Sequence, residues 1–363
     1  MIRQSVLVFC LLASAAFAAD RAKNVILFIG DAGGLPTLNA ASIHGYGAPQ
    51  KLFVQRMPNI GLSDTSASDV WVTDSAAGMS AIVTGQKTTN GTLSQTPAGQ
   101  PLKTILEYAE DRGLSTGVIS NVNMADATPA ACYSHVDSRK KFGDIFSQVW
   151  KPRFGDGVDV IFGGGRTRIA DSLKEMNLDL DQELGKNGWP VHPTVAAVPG
   201  DAKKAVVLVD IEDFRVDEAA AKAIQILSRN SKGYFLMVEW DLHANSNPDK
   251  ALSTVVAFDK LIEKTATSLA SRDTLVLFAA DHSFDVRVHK GKKGAPLLLP
   301  ANAKSWVEGK FDVMVGTHHT GEEVLVAAHG PGSERVKGFF PNAEIFRIML
   351  SAFRWKPDAA ATN

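Results

Sequence analysis

Three stretches of this chain place carboxylates and imidazoles directly after short apolar runs. Val25-Ile26-Leu27-Phe28-Ile29-Gly30 leads into Asp31. Phe235-Leu236-Met237-Val238 leads into Glu239-Trp240-Asp241-Leu242-His243. Leu275-Val276-Leu277-Phe278-Ala279-Ala280 leads into Asp281-His282. Carboxylate and imidazole together suit zinc and similar divalent ions. One acid after an apolar run is ordinary turn chemistry, but here three such ends carry six acids and imidazoles. Glu239, Asp241 and His243 alternate with Trp240 and Leu242, so a strand reaching this far turns the three polar groups to one face.

A fourth stretch, Thr73-Asp74-Ser75-Ala76-Ala77-Gly78-Met79, supplies a hydroxyl. The small residues after Ser75 predict a helix packed tightly against its neighbours, with Ser75 near its N-terminus. Free backbone N–H groups and the helix dipole there favour an anion and an ionised hydroxyl. Taken alone, the same residues are also an ordinary Asp/Ser helix cap.

The elements that must position these groups follow from the apolar pattern. Val25–Ile29, Thr116–Ser120, Val158–Phe162, Tyr234–Val238 and Thr274–Ala279 have strand length. Their continuous apolarity predicts strands buried on both faces. Leu102–Arg112 reads as a helix stopped by Gly113, and Val216–Ser228 and Lys250–Ala270 also read as helices. The alternation predicts an α/β fold, a doubly wound, mostly parallel sheet with helices on both faces. Ligands in such sheets bind beyond the carboxyl ends of the strands, where the three acidic ends lie. The Gly/Pro/Lys-rich stretch from Val288 to Ser305 reads as an insertion or lid, or equally as a solvated loop.

The chain has 363 residues, 45% of them apolar, and a formal charge of -1. That supports a large core and advertises no broad basic face, so nucleic acid is not expected as an obligate partner. Arg3, the apolar run Ser5–Ala16 and Ala16-Phe17-Ala18 read as a secretory signal peptide over residues 1–18, cut after Ala18. Residues 19–363 are then expected to be a single catalytic domain, periplasmic or secreted, with no stable membrane anchor. Cys10 leaves with the signal, and Cys132 reads as a buried small hydrophobe rather than a reactive thiol.

Thr73-Asp74-Ser75-Ala76-Ala77 resembles the nucleophile motif of the alkaline phosphatase family, and the resemblance runs in order along nearly the whole mature chain. Phe28-Ile29-Gly30-Asp31 is similar to the family's first metal-binding strand end. Asp126-Ala127-Thr128-Pro129-Ala130 and His135-Val136-Asp137-Ser138-Arg139 resemble its magnesium and phosphate-arginine segment. Asp159-Val160-Ile161-Phe162-Gly163-Gly164-Gly165 resembles a glycine turn, and Val238-Glu239, Ala280-Asp281-His282 and His319-Thr320-Gly321-Glu322 resemble the remaining metal motifs.

The resemblance implies two zinc ions and one magnesium. One zinc would be held by Asp31, Asp281 and His282 beside the Ser75 nucleophile. The second would use His319 with Asp241 and His243. Magnesium would lie near Asp31, Thr128 and Glu239, with Asp126 close by, and Arg139 would grip two phosphate oxygens. The spacing Glu239-x-Asp241-x-His243 is shorter than the family pattern, which leaves Asn245 or Asp249 as alternative ligands. His318 reads as a neighbour of the ligand His319, and His135 as a packing or hydrogen-bonding group.

The implied activity is hydrolysis of small phosphate monoesters through a phosphoserine. A phosphodiesterase of the same superfamily is the alternative. A periplasmic phosphate- or metal-binding protein is a more distant one, since it gives Ser75 no task. Many family members are homodimers, although no apolar patch in the sequence is assignable to an interface.

Overall fold

A computed structural model describes residues 21–210, 214–270 and 273–358. The expected signal peptide and its cleavage point lie outside the described residues. In chain order the elements begin with β1 (Asn24–Asp31), α1 (Leu35–Tyr46), β2 (Asn59–Asp64), α2 (Ser75–Thr84), α3 (Ile105–Asp111), β3 (Ser115–Asn123) and α4 (Ala127–Ala130). They continue with α5 (Phe142–Ser147), β4 (Val160–Gly164), α6 (Arg166–Glu175), α7 (Leu180–Lys186), β5 (Ala205–Val209), α8 (Val216–Leu227), β6 (Tyr234–Asp241) and α9 (Pro248–Leu269). The C-terminal part holds β7 (Thr274–Ala279), β8 (Ser283–Val288), β9 (Val313–Thr320), β10 (Val324–His329), β11 (Gly338–Pro341) and α10 (Ala343–Ala352).

Nine strands form one sheet in the order β11-β2-β10-β7-β1-β6-β3-β4-β5. Strand β10 runs antiparallel to both of its neighbours, and every other pair is parallel. The pleat of β1 shows why its sequence is apolar throughout. Val25, Leu27 and Ile29 enter one core, which they share with residues of α2, α3, α5, α6 and α10. Ile26 and Phe28 enter the other, shared with α1, α8 and α9. Strands sandwiched between two helical layers have no polar face. The sheet is therefore doubly wound and mostly parallel, with helices on both faces, as expected.

One sequence reading needs correction. The helix expected from Leu102 starts at Ile105, because Thr104 accepts from Glu107 N and the Glu107 side chain answers to Thr104 N. This reciprocal capping fixes the start of a helix more tightly than apolar spacing does. The stretch from Val288 to Ser305 starts at the end of β8 and runs as a largely exposed loop, in line with the solvated-loop alternative. It lies in the connection to β9, with which β8 pairs antiparallel as a separate two-stranded sheet. Cys132 is buried, as expected, and burial pushes its thiol well above the usual range. No helix among the described residues is long and apolar enough to cross a membrane.

One buried acid lies far from the acidic strand ends. Burial pushes the Glu110 carboxyl on α3 up to about 8, and the charges of Asp159 and Asp156 add to it despite a hydrogen bond from Thr116 Oγ1. Its folded pKa lies above the unfolded value of 4.5. The folded chain therefore keeps a proton that the unfolded chain loses, and stability falls as pH rises from 4.5 to about 8, by up to about 1.4 kcal/mol per pH unit. Glu110→Gln is expected to raise the melting temperature at pH 9 relative to the parent much more than at pH 4. Equal shifts at both pH values would count against a buried neutral Glu110.

Candidate active site

Strands β7, β1 and β6 are neighbours in the sheet and run parallel, so their carboxyl ends open on one edge. Asp31 ends β1 and stands in register with Asp241 at the end of β6. Glu239 lies two residues earlier on the same face of β6. Asp281 and His282 follow β7 after the single residue Ala280. The alternation read from the sequence holds: Leu242 is buried in the α9-side core and Trp240 packs edge-on against Phe258 of α9, with ring centroids 5.7 Å apart. His243 lies beyond the end of β6, yet its Nδ1 reaches Asp241 Oδ1 at 2.7 Å and Asp31 Oδ1 at 3.8 Å.

The β8–β9 hairpin brings in the last imidazole. His282 leads into β8, and Phe284 of β8 is in register with His319 of β9. The rings of His282 and His319 stack with centroids 3.6 Å apart. His319 Nε2 lies 3.4 Å from His243 Nε2.

Each of these imidazoles points its Nδ1 at an oxygen. His282 Nδ1 faces Ser283 O at 3.1 Å, His319 Nδ1 faces Thr73 O at 3.1 Å, and His243 Nδ1 faces Asp241. With the proton on Nδ1, each ring would leave its Nε2 lone pair for a cation. His243, His282 and His319 each bring a ring nitrogen within 4.8 Å of the others, close enough to share one cation.

The carboxylates call for the same cation. Asp281 Oδ2 and both oxygens of Glu239 are buried without a close donor, and buried Asp31 Oδ1 faces only the ring nitrogens of His282 and His243. Buried acids left in that state are strongly unfavourable unless a positive charge joins them. Burial, with Asp31 close by, pushes the Glu239 carboxyl well above its usual range and Asp281 up to about 7. Burial alone would also raise Asp31, but His243 and His282 outweigh it and hold that carboxyl well below the usual range. His243 is raised to about 9, its burial outweighed by Asp31 and Asp241. Burial and the adjacent His282 push His319 down to about 4.

Three groups have ligand atoms within 4.8 Å of one another: His243 with His282 and His319, Asp31 with Asp241 and His243, and Asp31 with Asp281 and His282. Donor type, orphaned oxygens and imidazole orientation all fit divalent metal ions.

Ser75 meets this cluster directly. Its Oγ lies 3.2 Å from His282 Nε2, and the same nitrogen is 3.2 Å from Asp31 Oδ1 and 3.6 Å from Asp281 Oδ2. The helix cap is Asp74, whose Oδ1 accepts from Ala77 N at 3.0 Å, so the Ser75 hydroxyl is free of capping duty. All ten residues of α2 are buried, as the run of small residues predicts. Gly78 is required by packing: a Cβ there would lie 2.5 Å from Asp281 O.

Arg139 is fixed beside Ser75 rather than free. Its Nη1 donates to Asp74 Oδ2 at 3.2 Å and its Nη2 to Asp126 Oδ1 at 2.8 Å. Asp126 thus holds the arginine and caps α4, while its charge also bears on Glu239. Thr128 is buried on α4, which packs against β3 and β6. The alternative ligands lie elsewhere. Asp249 pairs with His44 at 3.6 Å, and Asn245 is exposed with its carbonyl accepting from Ala303 N. His318 is exposed beside the cluster, and His135 is buried against Glu107 at 2.9 Å.

Two supporting residues carry no motif in the sequence. Asn90 clamps the approach to Ser75, accepting from Asp74 N and donating to Val72 O. Asn121 accepts from Asp241 N at 2.8 Å and fixes the end of β6.

A doubly wound sheet with this cluster at its carboxyl edge defines a phosphatase of the alkaline phosphatase superfamily. Residues 22–188 and 199–314 match the family model for alkaline phosphatase, and the chain belongs to that family. The alkaline phosphatase of Escherichia fergusonii is 29% identical, over 91% of this chain and 86% of its own. Streptomycin-6-phosphate phosphatase of Streptomyces griseus is also 29% identical, over 91% of this chain and 90% of its own. Among solved structures, a variant alkaline phosphatase from the Antarctic bacterium TAB5 with magnesium bound superposes with a TM-score of 0.77. It is 25% identical, and the match covers 93% of this chain and all of that one.

Proposed function

We propose that the protein is an exported phosphomonoesterase that works through a phosphoserine on Ser75. The observation that carries this reading is the Ser75 hydroxyl, released from helix capping and placed 3.2 Å from His282 Nε2 among unpartnered carboxylates. Asp31, Asp281 and His282 would hold one zinc, and Asp241, His243 and His319 a second. Glu239, Thr128 and Asp31 would take magnesium, with Asp126 nearby. Bound there, the ions would lower the pKa of the attacking hydroxyl and neutralise charge on the entering and leaving oxygens.

The protein's own groups do the rest. Ser75 Oγ attacks phosphorus and the ester oxygen leaves, taking a proton. The N-terminus of α2 lies behind the transferred group and favours its negative charge. The Arg139 guanidinium, aimed by Asp74 and Asp126, can shift its fork onto two phosphate oxygens. Water then cleaves the phosphoserine and returns Ser75.

A relative whose name specifies streptomycin 6-phosphate supports a monoester substrate. The short Glu239–His243 spacing is the feature that favours a phosphodiesterase instead. Rates on p-nitrophenyl phosphate and bis-p-nitrophenyl phosphate separate the two. The monoester is expected to be cleaved faster, and a clear preference for the diester would overturn the proposal. The leader at residues 1–18 supports export, which N-terminal sequencing of the secreted chain would check by finding Ala19 first.

A further inference from the structure

Residues 71–74, which lead into Ser75, lie against the end of β9. A Cβ on Gly321 would stand 3.2 Å from Trp71 O and 3.5 Å from Val72 Cγ2, so the chain passes this glycine in close contact. Two residues before Gly321, His319 Nδ1 faces Thr73 O at 3.1 Å. Thr73 O belongs to the peptide group that joins Thr73 to Asp74. The other end of that group, Asp74 N, donates to Asn90 Oδ1 at 3.0 Å. Asp74 is the N-cap of α2, so the helix makes no use of its N–H. A trans peptide is planar and points its N–H and C=O in opposite directions. Fixing the N–H therefore fixes the line along which the carbonyl meets His319.

Asn90 is exposed, but both ends of its amide are engaged. Its Nδ2 donates to Val72 O at 3.2 Å, on the preceding peptide group. The carboxamide thus spans Thr73 and sets the peptide planes on either side of it. The amide fits only this way round, because its oxygen can only accept and its NH2 only donate. The turn that carries Asn90 is itself anchored. Thr92 N closes it on Thr89 O at 3.2 Å, and Gly91 has a φ of 81°, in the left-handed region that glycine supplies. Gly91 N donates to Asp74 Oδ2 at 3.0 Å, and Gly91 O accepts from Arg139 N at 2.7 Å. Asn90 therefore reaches Thr73 from a fixed base.

We infer that Asn90 is a positioning residue for His319. Its Oδ1 aims Thr73 O, and Thr73 O sets the imidazole so that Nε2 stands 3.4 Å from His243 Nε2. The inference rests on the proposed function through the assignment of His319 to the second zinc. Outer partners of metal-ligating histidines cost about 10–100-fold in affinity when they are lost. Asn90 acts one bond further out, so Asn90→Ala is expected to weaken one zinc by about tenfold. The zinc assigned to Asp31, Asp281 and His282 should be unchanged, because those residues are set by β1 and β7.

The test titrates the metal-free chain with zinc against a chromophoric chelator, with no substrate present. The parent is compared with Asn90→Ala, His319→Ala, the double variant and Thr89→Ala. His319→Ala should lose one tight zinc, and Asn90→Ala should weaken that same ion by about tenfold. The double variant should match His319→Ala, since two changes acting on one contact do not add. Thr89 is the control, because its hydroxyl bonds within the turn, to Thr92 Oγ1 at 3.1 Å. Thr89→Ala should bind zinc as the parent does, and the metal-free chains should melt alike. Unchanged zinc affinity in Asn90→Ala would overturn the inference. So would an equal weakening in Thr89→Ala, or a further loss when Asn90→Ala is added to His319→Ala. Rates on p-nitrophenyl phosphate are read in parallel. The expected zinc pattern in a parent that hydrolyses no monoester would keep the role of Asn90 and retire the monoesterase reading. An active parent whose zinc binding ignores Asn90→Ala would retire the role of Asn90 alone.

Discussion

Ser75→Ala is expected to lower kcat on p-nitrophenyl phosphate by at least about 10³-fold while leaving the melting temperature within a few degrees of the parent. The two halves of this prediction come from different features. Loss of the hydroxyl removes the atom that must bond to phosphorus. Stability should survive because Asp74, not Ser75, caps α2, and because alanine suits a helix that continues Ala76-Ala77-Gly78. A large fall in melting temperature would mean that Ser75 is chiefly structural. Activity within tenfold of the parent would mean that another group attacks phosphorus.

The second large effect concerns Asp31. In the proposed assignment it serves both a zinc and the magnesium, whereas Asp241 and His243 serve the second zinc alone. Asp31→Ala is therefore expected to lower bound metal by about two ions per chain, and Asp241→Ala or His243→Ala by about one. Activity should be lost in the first variant and reduced in the others. Elemental analysis after dialysis measures this directly. Parent-like zinc in Asp241→Ala and His243→Ala would show that the short Glu239–His243 segment does not hold metal. The prediction also reaches the carboxylates that remain. The charge of Asp31 is part of what raises Glu239 and Asp281, so its removal should let both ionise more readily in the metal-free chain.

The centre of the sheet was legible because burial on two faces leaves continuous apolar runs, although β5 and β10, buried in the same way, were not read. The five strands read as continuous apolar runs are β1, β3, β4, β6 and β7, which sit side by side in the sheet. Strand β2 escaped because its residues alternate between buried and partly exposed, and β11 because it is short and largely exposed. The β8–β9 hairpin escaped for another reason: its pairing joins residues separated by the polar loop, and no local period records such a contact.

The site divides in the same way. Asp31, Glu239, Asp241, Asp281 and His282 end or follow strands, so their convergence follows from a parallel sheet. His319 came only from motif resemblance, because nothing near it in sequence says which strand it pairs with. The grip of Asp74 and Asp126 on Arg139 was equally invisible, as were the asparagines at positions 90 and 121. Their partners lie 13 to 120 residues away.

The hairpin has one further consequence. His282 and His319 stand at its root, while residues 289–312 run between its strands away from them. The two imidazoles are aligned by strand pairing and by their contacts with Thr73, Asp31 and Ser75 at the root, not by what joins the far ends. Loops of different length and character could be spliced into the tip while the pairing at the root stays, provided the contact of Ala303 N with Asn245 O beside His243 is kept or replaced. A chain built this way can acquire new surroundings for its active site without rebuilding the site.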